Sequence, residues 1–325
     1  MRPSAALSLF ALLLTLAAPL PLRAAAGASA DDDLLRDHLW TQVRALPKGE
    51  RPAVGLALSA GAVRGSAHIG VIQVLEEAGF PIDVVSGTSM GAIVGAVYAA
   101  GQPLDKLAGF SRALAAEATT LLSRARILSL MLTDSLISSK GIVSLLHEQI
   151  GDRRFDELTK PFACVAMDLR TGEKIVFRDG PLAPAVQASM GMPGIFKPVL
   201  YRHRYLVDGG VVDYVPVDLA RSLGADWVLA SVTENDYMRA NPTSSLLALE
   251  QVIDIRGALL SNQQRREADA AIDVEFGDVG FLDFSRAEEM VERGVKAAKS
   301  QLPQAQESLI LSTLPRLMER WGGRR

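Results

Sequence analysis

The sequence predicts an α/β protein with a parallel sheet covered by helices, and three observations carry that expectation. Residues 53–101 read strand, Gly-containing loop, helix, strand, tight turn, helix, and that βαβα order requires a parallel sheet. Strand-length apolar runs recur later, separated by helical stretches. Aromatics make up 6% of the chain while Ala, Leu, Val and Gly are abundant, a composition suited to close helix–sheet packing. With 325 residues, 49% of them hydrophobic, the chain is long enough for one large core.

The first thirty residues differ from the rest. Arg2 is followed by no charge until Arg23, the run Ala5–Ala18 is apolar, and small residues "ASA" stand at 28–30 before "DDD". That is the charge–apolar–small order of a secretory signal peptide. Pro19 and Pro21 argue against a membrane anchor, and "AAA" at 24–26 offers a second cleavage region. Export follows as an expectation, to the periplasm first and the medium second. The formal net charge is −3, and without residues 1–30 it becomes −5, with 32 basic against 37 acidic side chains. No basic stripe marks a nucleic-acid partner. Cys164 is the single cysteine, which excludes an intrachain disulfide or a Cys-rich metal site and fits a buried small hydrophobe.

Residues 31–52 are expected to form a helical lead that ends near Pro47-Lys48-Gly49. "AVGLAL" (53–58) and "IDVVSG" (82–87) read as strands, each followed by a helix; Gly79 and Pro81 stop the first of these. Residues 103–150 are mostly helical. Within them 121–137 carries only Arg124, Arg126 and Asp134 as charges, which fits either a buried helix or contact with a membrane surface. "FACVAMDL" (162–169), "KIVFRDG" (174–180), "YLVDGG" (205–210) and "DWVLASV" (226–232) read as strands, "YRHRY" as a hairpin tip, and 213–224 as a helix. Helices are expected at 244–271, 286–302 and 304–321, with "AAIDVEF" (270–276) as an edge strand. No repeat or linker divides residues 53–302, and 303–325 form a helical tail.

The chemistry concentrates at "GTSMG". Ser89 stands between Gly87 and Gly91, after a strand and before a helix, the setting in which a turn projects a nucleophilic hydroxyl from a sheet end. The plainer alternative is a Gly-rich turn with Ser89 as helix cap. A serine nucleophile needs a base. Of His38, His68, His147 and His203, only His203 allows the order Ser89, Asp168, His203 of an ordinary triad. His68 reads as a structural histidine. The other candidate base is Asp208, at the end of an apolar strand and followed by Gly209 and Gly210, although Asp-Gly is also a common turn signal.

Three segments in order tilt this balance. "GLALSAGAVRGSAHIGVIQVLEEAG" resembles the Gly-rich oxyanion segment of patatin-like phospholipases, "GTSMG" their nucleophile motif and "DGG" their aspartate motif. "ASMGMPGIFKPV" (188–199) and "VPVDLARSLGADWVLASV" (215–232) fit as well, so the resemblance spans about residues 53–300. It implies a three-layer α/β/α sandwich, hydrolysis of fatty-acyl esters of phospholipids, lysophospholipids or acylglycerols, no metal, and a dyad in which Asp208 takes the proton of Ser89. Gly61 and Ala62 would be the oxyanion donors, with Arg64 and Gly65 completing the motif. Ala60 and Ala62 replace glycines of the family pattern, and a left-handed alanine costs about 1–2 kcal/mol, so a weakened or inactive lipid-binding fold is the rival expectation. Arg64 would hold the loop or attract a lipid phosphate. A dyad without histidine is expected to give no activity step near the ordinary histidine value of about 6.5.

Overall fold

The computed structural model describes residues 30–121, 138–233, 243 and 245–322. The expected signal peptide and the apolar stretch beyond Leu121 lie outside the described residues. Two compact units are present, one ending at Thr41 and the other running from Gln42 to Arg325. Helix α1 (Ala30–Arg44) begins in the first of these, with Asp31, Asp32 and Asp33 in its first turn, where carboxylates oppose the positive end of the helix dipole.

The second unit is a mixed eight-stranded sheet between helices. Its elements are β1 (Val54–Leu58), α2 (Ala67–Glu77), β2 (Val84–Thr88), α3 (Met90–Ala99), α4 (Leu104–Leu121), α5 (Lys140–Ile150), β3 (Phe162–Asp168), β4 (Lys174–Phe177), α6 (Leu182–Ser189), β5 (Val199–Tyr201) and β6 (Arg204–Asp208). Then follow α7 (Val217–Ser222), β7 (Trp227–Val232), α8 (Ser245–Gln264), β8 (Ala270–Asp273) and α9 (Ala287–Gly322). The hydrogen-bonded order is β5-β6-β3-β2-β1-β7-β8, with β4 also on β3. β1, β2, β3, β7 and β8 pair in parallel. All five residues of β1 are buried, as a strand covered on both faces requires. On one face Ala57, Val228 and Ala230 pack with Val217 and Ala220 of α7. On the other, α3 lies so close that a Cβ on Gly95 would come within 2.9 Å of Phe162. These two faces give the three layers.

The register along β3 sets up the site. Val165 pairs with Val176 of β4 and with Thr88 of β2, while Ala166 pairs with Ile175 of β4 and with Asp208 of β6. A strand has two sides, so β2 and β6 share one side of β3 and meet end to end there. β2 runs parallel to β3 and β6 antiparallel, so both point their C-terminal ends at the same place. Thr88-Ser89 and Asp208 therefore converge from opposite directions.

Two expectations need correction. A single helix, α9, spans Ala287–Gly322 with Pro303 and Pro315 inside it, where two helices were expected around Pro303. Ala305, Leu309, Ile310 and Leu317 beyond that proline are buried, and this packing outweighs the lost hydrogen bond. The helix expected over 244–271 is shorter, because α8 ends at Gln264 and β8 begins at Ala270. Helix α6 and strand β5 were not anticipated. Both are short and follow prolines, and β5 exists through its pairing with β6. "YRHRY" is a hairpin tip, with Arg202 and His203 at φ 46° and 70°, the two-residue turn whose twist matches the strands.

Candidate active site

Ser89 occupies the turn between β2 and α3 at φ 55° and ψ −118°, a conformation disfavoured for a residue with a Cβ. The surrounding glycines permit it. A Cβ on Gly91 would lie 2.3 Å from the carbonyl oxygen of Leu58, and one on Gly87 would lie 2.3 Å from that of Gly91 itself. Gly65 and Gly209 are similarly confined, against Met90 and the Val165 carbonyl. The turn places the Ser89 hydroxyl at the positive end of α3, where negative charge is stabilised.

The Ser89 Oγ donates to Asp208 Oδ2 at 2.5 Å, and Asp208 Oδ1 accepts from the Gly210 N–H at 2.8 Å. Both side chains are almost fully buried. Burial pushes the Asp208 carboxyl up to about 6, against the downward pull of its Ser89 and Gly210 hydrogen bonds. This revises the pH expectation: a titration near 6 belongs to Asp208 and needs no histidine.

The loop after β1 supplies backbone donors. Gly61 has φ 153° and Ala62 φ 44°. A Cβ on Gly61 would meet Thr233 Oγ1 at 2.3 Å, so both φ and space demand glycine there. Among the described residues neither the Gly61 nor the Ala62 N–H has a hydrogen-bond partner, while Ala60 donates to the Tyr214 carbonyl at 2.8 Å and Val63 to that of Phe281 at 3.3 Å. Of the two alanines, only Ala62 is left-handed.

Arg64 is fully buried. It donates from Nε to the Val279 carbonyl at 3.0 Å, pairs with Asp254 of α8 at 3.3 Å, and its guanidinium lies 3.9 Å over the Phe276 ring. It therefore braces the loop after β1, and burial overturns the expectation that it attracts a lipid phosphate. His68 is buried between the Ser231 hydroxyl at 2.8 Å and the Ser59 carbonyl at 2.9 Å. The carbonyl can only accept, so Nε2 carries the proton, and burial lowers the imidazole to about 4. The alternative triad is not assembled. Asp168 accepts from Arg204 and from the Arg170 N–H, both at 3.0 Å, and His203 sits at the hairpin tip.

Ser189, the last residue of α6, is a contributor that sequence reasoning missed. Its buried Oγ accepts the Ser89 N–H at 3.0 Å and so fixes the backbone of Ser89. It lies in the "ASMGMPGIFKPV" stretch, but nothing local marks its role.

Two apolar clefts open from Ser89. The first, about 40 Å³, is lined by Ala62, Met90, Ile93, Leu114, Ile142 and Phe196 among others. The second is only about 10 Å³, room for about one water, and includes Asp208, Gly210, Val211, Tyr214, Ile253 and Phe281. No group of three or more metal-ligating side chains occurs among the described residues.

The family model for patatin-like phospholipases matches residues 56–221. An uncharacterised NTE family protein of Mycobacterium tuberculosis is 37% identical over 185 residues, covering 55% of this chain and 48% of that protein. The human patatin-like phospholipase domain-containing protein 6 is 34% identical over 179 residues, 54% of this chain and 13% of the relative. The chain thus spans about half the length of the mycobacterial relative. Human GIVD cytosolic phospholipase A2 superposes with a TM-score of 0.47 at 12% identity, over 88% of this chain and 65% of that one. VipD from Legionella pneumophila gives 0.44 at 16% identity, over 77% and 67%.

Proposed function

Because the chain belongs to the patatin-like phospholipase family, we propose that it is a serine lipid acyl hydrolase. Its substrates are fatty-acyl esters of phospholipids, lysophospholipids or related lipids. The observation that carries this reading is the 2.5 Å hydrogen bond from Ser89 to a buried Asp208 whose carboxyl is raised to about 6. That value suits a base that must accept a proton and return it near neutral pH.

Ser89 Oγ attacks the ester carbonyl carbon as its proton passes to Asp208. The carbonyl oxygen takes up negative charge and is met by the Gly61 and Ala62 N–H groups, fixed before substrate arrives. The tetrahedral species collapses, the C–O bond breaks, and the alcohol leaves with the proton held by Asp208. Asp208 then draws a proton from the attacking water, the tetrahedral species collapses with the Ser89 Oγ–C bond breaking, and Asp208 returns the proton to Ser89 as the fatty acid leaves. These steps require no cofactor.

Fatty-acid release from phospholipid vesicles tests the proposal. Wild type is expected to turn over, and Ser89→Ala and Asp208→Asn to lose at least about a thousandfold in kcat/KM. Well-folded wild type without turnover on any lipid ester would favour the rival, a lipid-binding fold weakened at the left-handed Ala62. We also propose that residues 1–30 direct export, most directly to the periplasm. Fractionation with N-terminal sequencing of the mature protein tests this, and an intact N-terminus in the cytoplasmic fraction would contradict it.

A further inference from the structure

The peptides of the loop after β1 are held by different devices. The Ser59–Ala60 peptide is fixed on both sides: His68 Nε2 donates to the Ser59 carbonyl at 2.9 Å, and the Ala60 N–H donates to the Tyr214 carbonyl at 2.8 Å. The Gly61–Ala62 peptide is fixed by the turn that follows, since the Gly61 carbonyl accepts from the Arg64 and Gly65 N–H groups at 2.9 and 3.4 Å. The Ala60–Gly61 peptide between them has no such anchor. Among the described residues no backbone N–H reaches the Ala60 carbonyl. Two fully buried hydroxyls do instead: Ser59 Oγ donates to it at 2.8 Å and Thr233 Oγ1 at 2.9 Å. The pair is itself locked, because Ser59 Oγ accepts the Thr233 N–H at 3.1 Å. Sheet register brings them together. Leu58 of β1 pairs with Ser231 of β7, so two residues further on Ala60 lies beside Thr233.

A trans peptide points its N–H opposite its C=O. With the Ala60 carbonyl turned onto Ser59 and Thr233, the Gly61 N–H is turned away from them, and Ala60 and Ala62 on either side line the clefts at Ser89. Donation into the carbonyl also polarises the amide and strengthens its N–H as a donor. Resting on the hydrolase reading above, we infer that Thr233 and Ser59 are positioning residues for the oxyanion: their hydroxyls hold the Ala60–Gly61 peptide so that the Gly61 N–H meets the charge developing on the substrate carbonyl. Gly61 makes such a hold necessary, since a residue without Cβ leaves its peptide free to turn. It also makes the hold possible, because a Cβ there would strike Thr233 Oγ1 at 2.3 Å. Loosening the peptide weakens a contact that matters most in the transition state, so the loss falls on kcat and spares KM.

The experiment measures kcat and KM on an uncharged ester for wild type, Thr233→Val, Thr233→Ser and Ser59→Ala. Beside it stands the affinity of a trifluoromethyl ketone of the same acyl chain, whose adduct on Ser89 carries an oxyanion. Removing a whole oxyanion donor costs about 10²–10³ in kcat, so Thr233→Val, which keeps the side-chain shape and leaves Ser59 in place, should lose about tenfold. Its KM should stay within about twofold, and ketone affinity should fall by the same factor as kcat/KM. Thr233→Ser keeps the hydroxyl and should restore kcat to within about threefold of wild type. Ser59→Ala removes the other hydroxyl and gives a second reading where Thr233→Val does not fold. The inference is overturned by an unchanged kcat in Thr233→Val and Ser59→Ala, or by Thr233→Ser losing as much as Thr233→Val. A higher KM with ketone affinity intact would overturn it too. Wild type with neither turnover nor fluorophosphonate labelling would instead overturn the hydrolase reading beneath it.

Discussion

Asp208→Asn is expected to abolish activity and to stabilise the protein, and the two effects share one cause. The carboxyl titrates near 6 in the folded chain and near 3.9 in an unfolded one. Between these values the folded state holds more protons, so stability falls as pH rises through that window and the loss is complete above 6. A difference of roughly two pKa units corresponds to about 3 kcal/mol. Asparagine removes that cost and can keep both contacts, with its oxygen accepting from Gly210 and its amide donating to Ser89. At pH 8 the variant should melt about 5 °C above wild type, for a chain of this size; at pH 4 the two should coincide. In wild type, kcat/KM should fall about tenfold for each pH unit below the Asp208 midpoint, as its base form is lost. Scanning calorimetry across pH, paired with a kcat/KM profile on an uncharged ester, reads both. The reasoning is refuted if Asp208→Asn melts lower than wild type at pH 8, or if His203→Ala removes the activity step.

Other substitutions separate structural from chemical roles. Ser189→Ala leaves the buried Ser89 N–H without its acceptor, which should cost about 1–3 kcal/mol of stability and lower kcat more than it raises KM; an unchanged kcat would show that the contact positions nothing. Ala62 already holds its left-handed angle in the folded chain, so its strain falls on folding and not on the transition state. Ala62→Gly should change kcat/KM by less than about threefold while relieving roughly 1 kcal/mol of strain, and a tenfold rise in rate would contradict this. Arg64→Ala strands the buried Asp254, and urea unfolding should register a loss of about 3–5 kcal/mol. A loss under about 1 kcal/mol, with KM rising only for anionic lipids, would restore the phosphate-binding role.

Local signals made the turn at Ser89, the strand ends and the hairpin tip legible in the sequence, because the first two rest on glycines or apolar runs of fixed length and the tip on a short polar run, Tyr201–Tyr205. The candidate pair Ser89 and Asp208 came from motifs in order, but nothing local shows why they meet. Their convergence depends on β2 and β6 pairing along the same side of β3, which brings together two residues 119 apart in the chain. Ser189 stayed hidden for the same reason, since a serine at a helix end has many uses. The Asp208 titration could not be read from composition, as it follows from burial. Pro303 misled because its local penalty was visible, whereas the buried face of α9 that overrides it was not.

Mass-spectrometric mapping of a fluorophosphonate adduct tests the central claim most directly, on wild type beside Asp208→Asn and His203→Ala. A single adduct on the Ser89 peptide is expected in wild type and in His203→Ala, with none in Asp208→Asn. An adduct on another residue, or one that survives in Asp208→Asn and disappears in His203→Ala, would contradict the Ser89–Asp208 account.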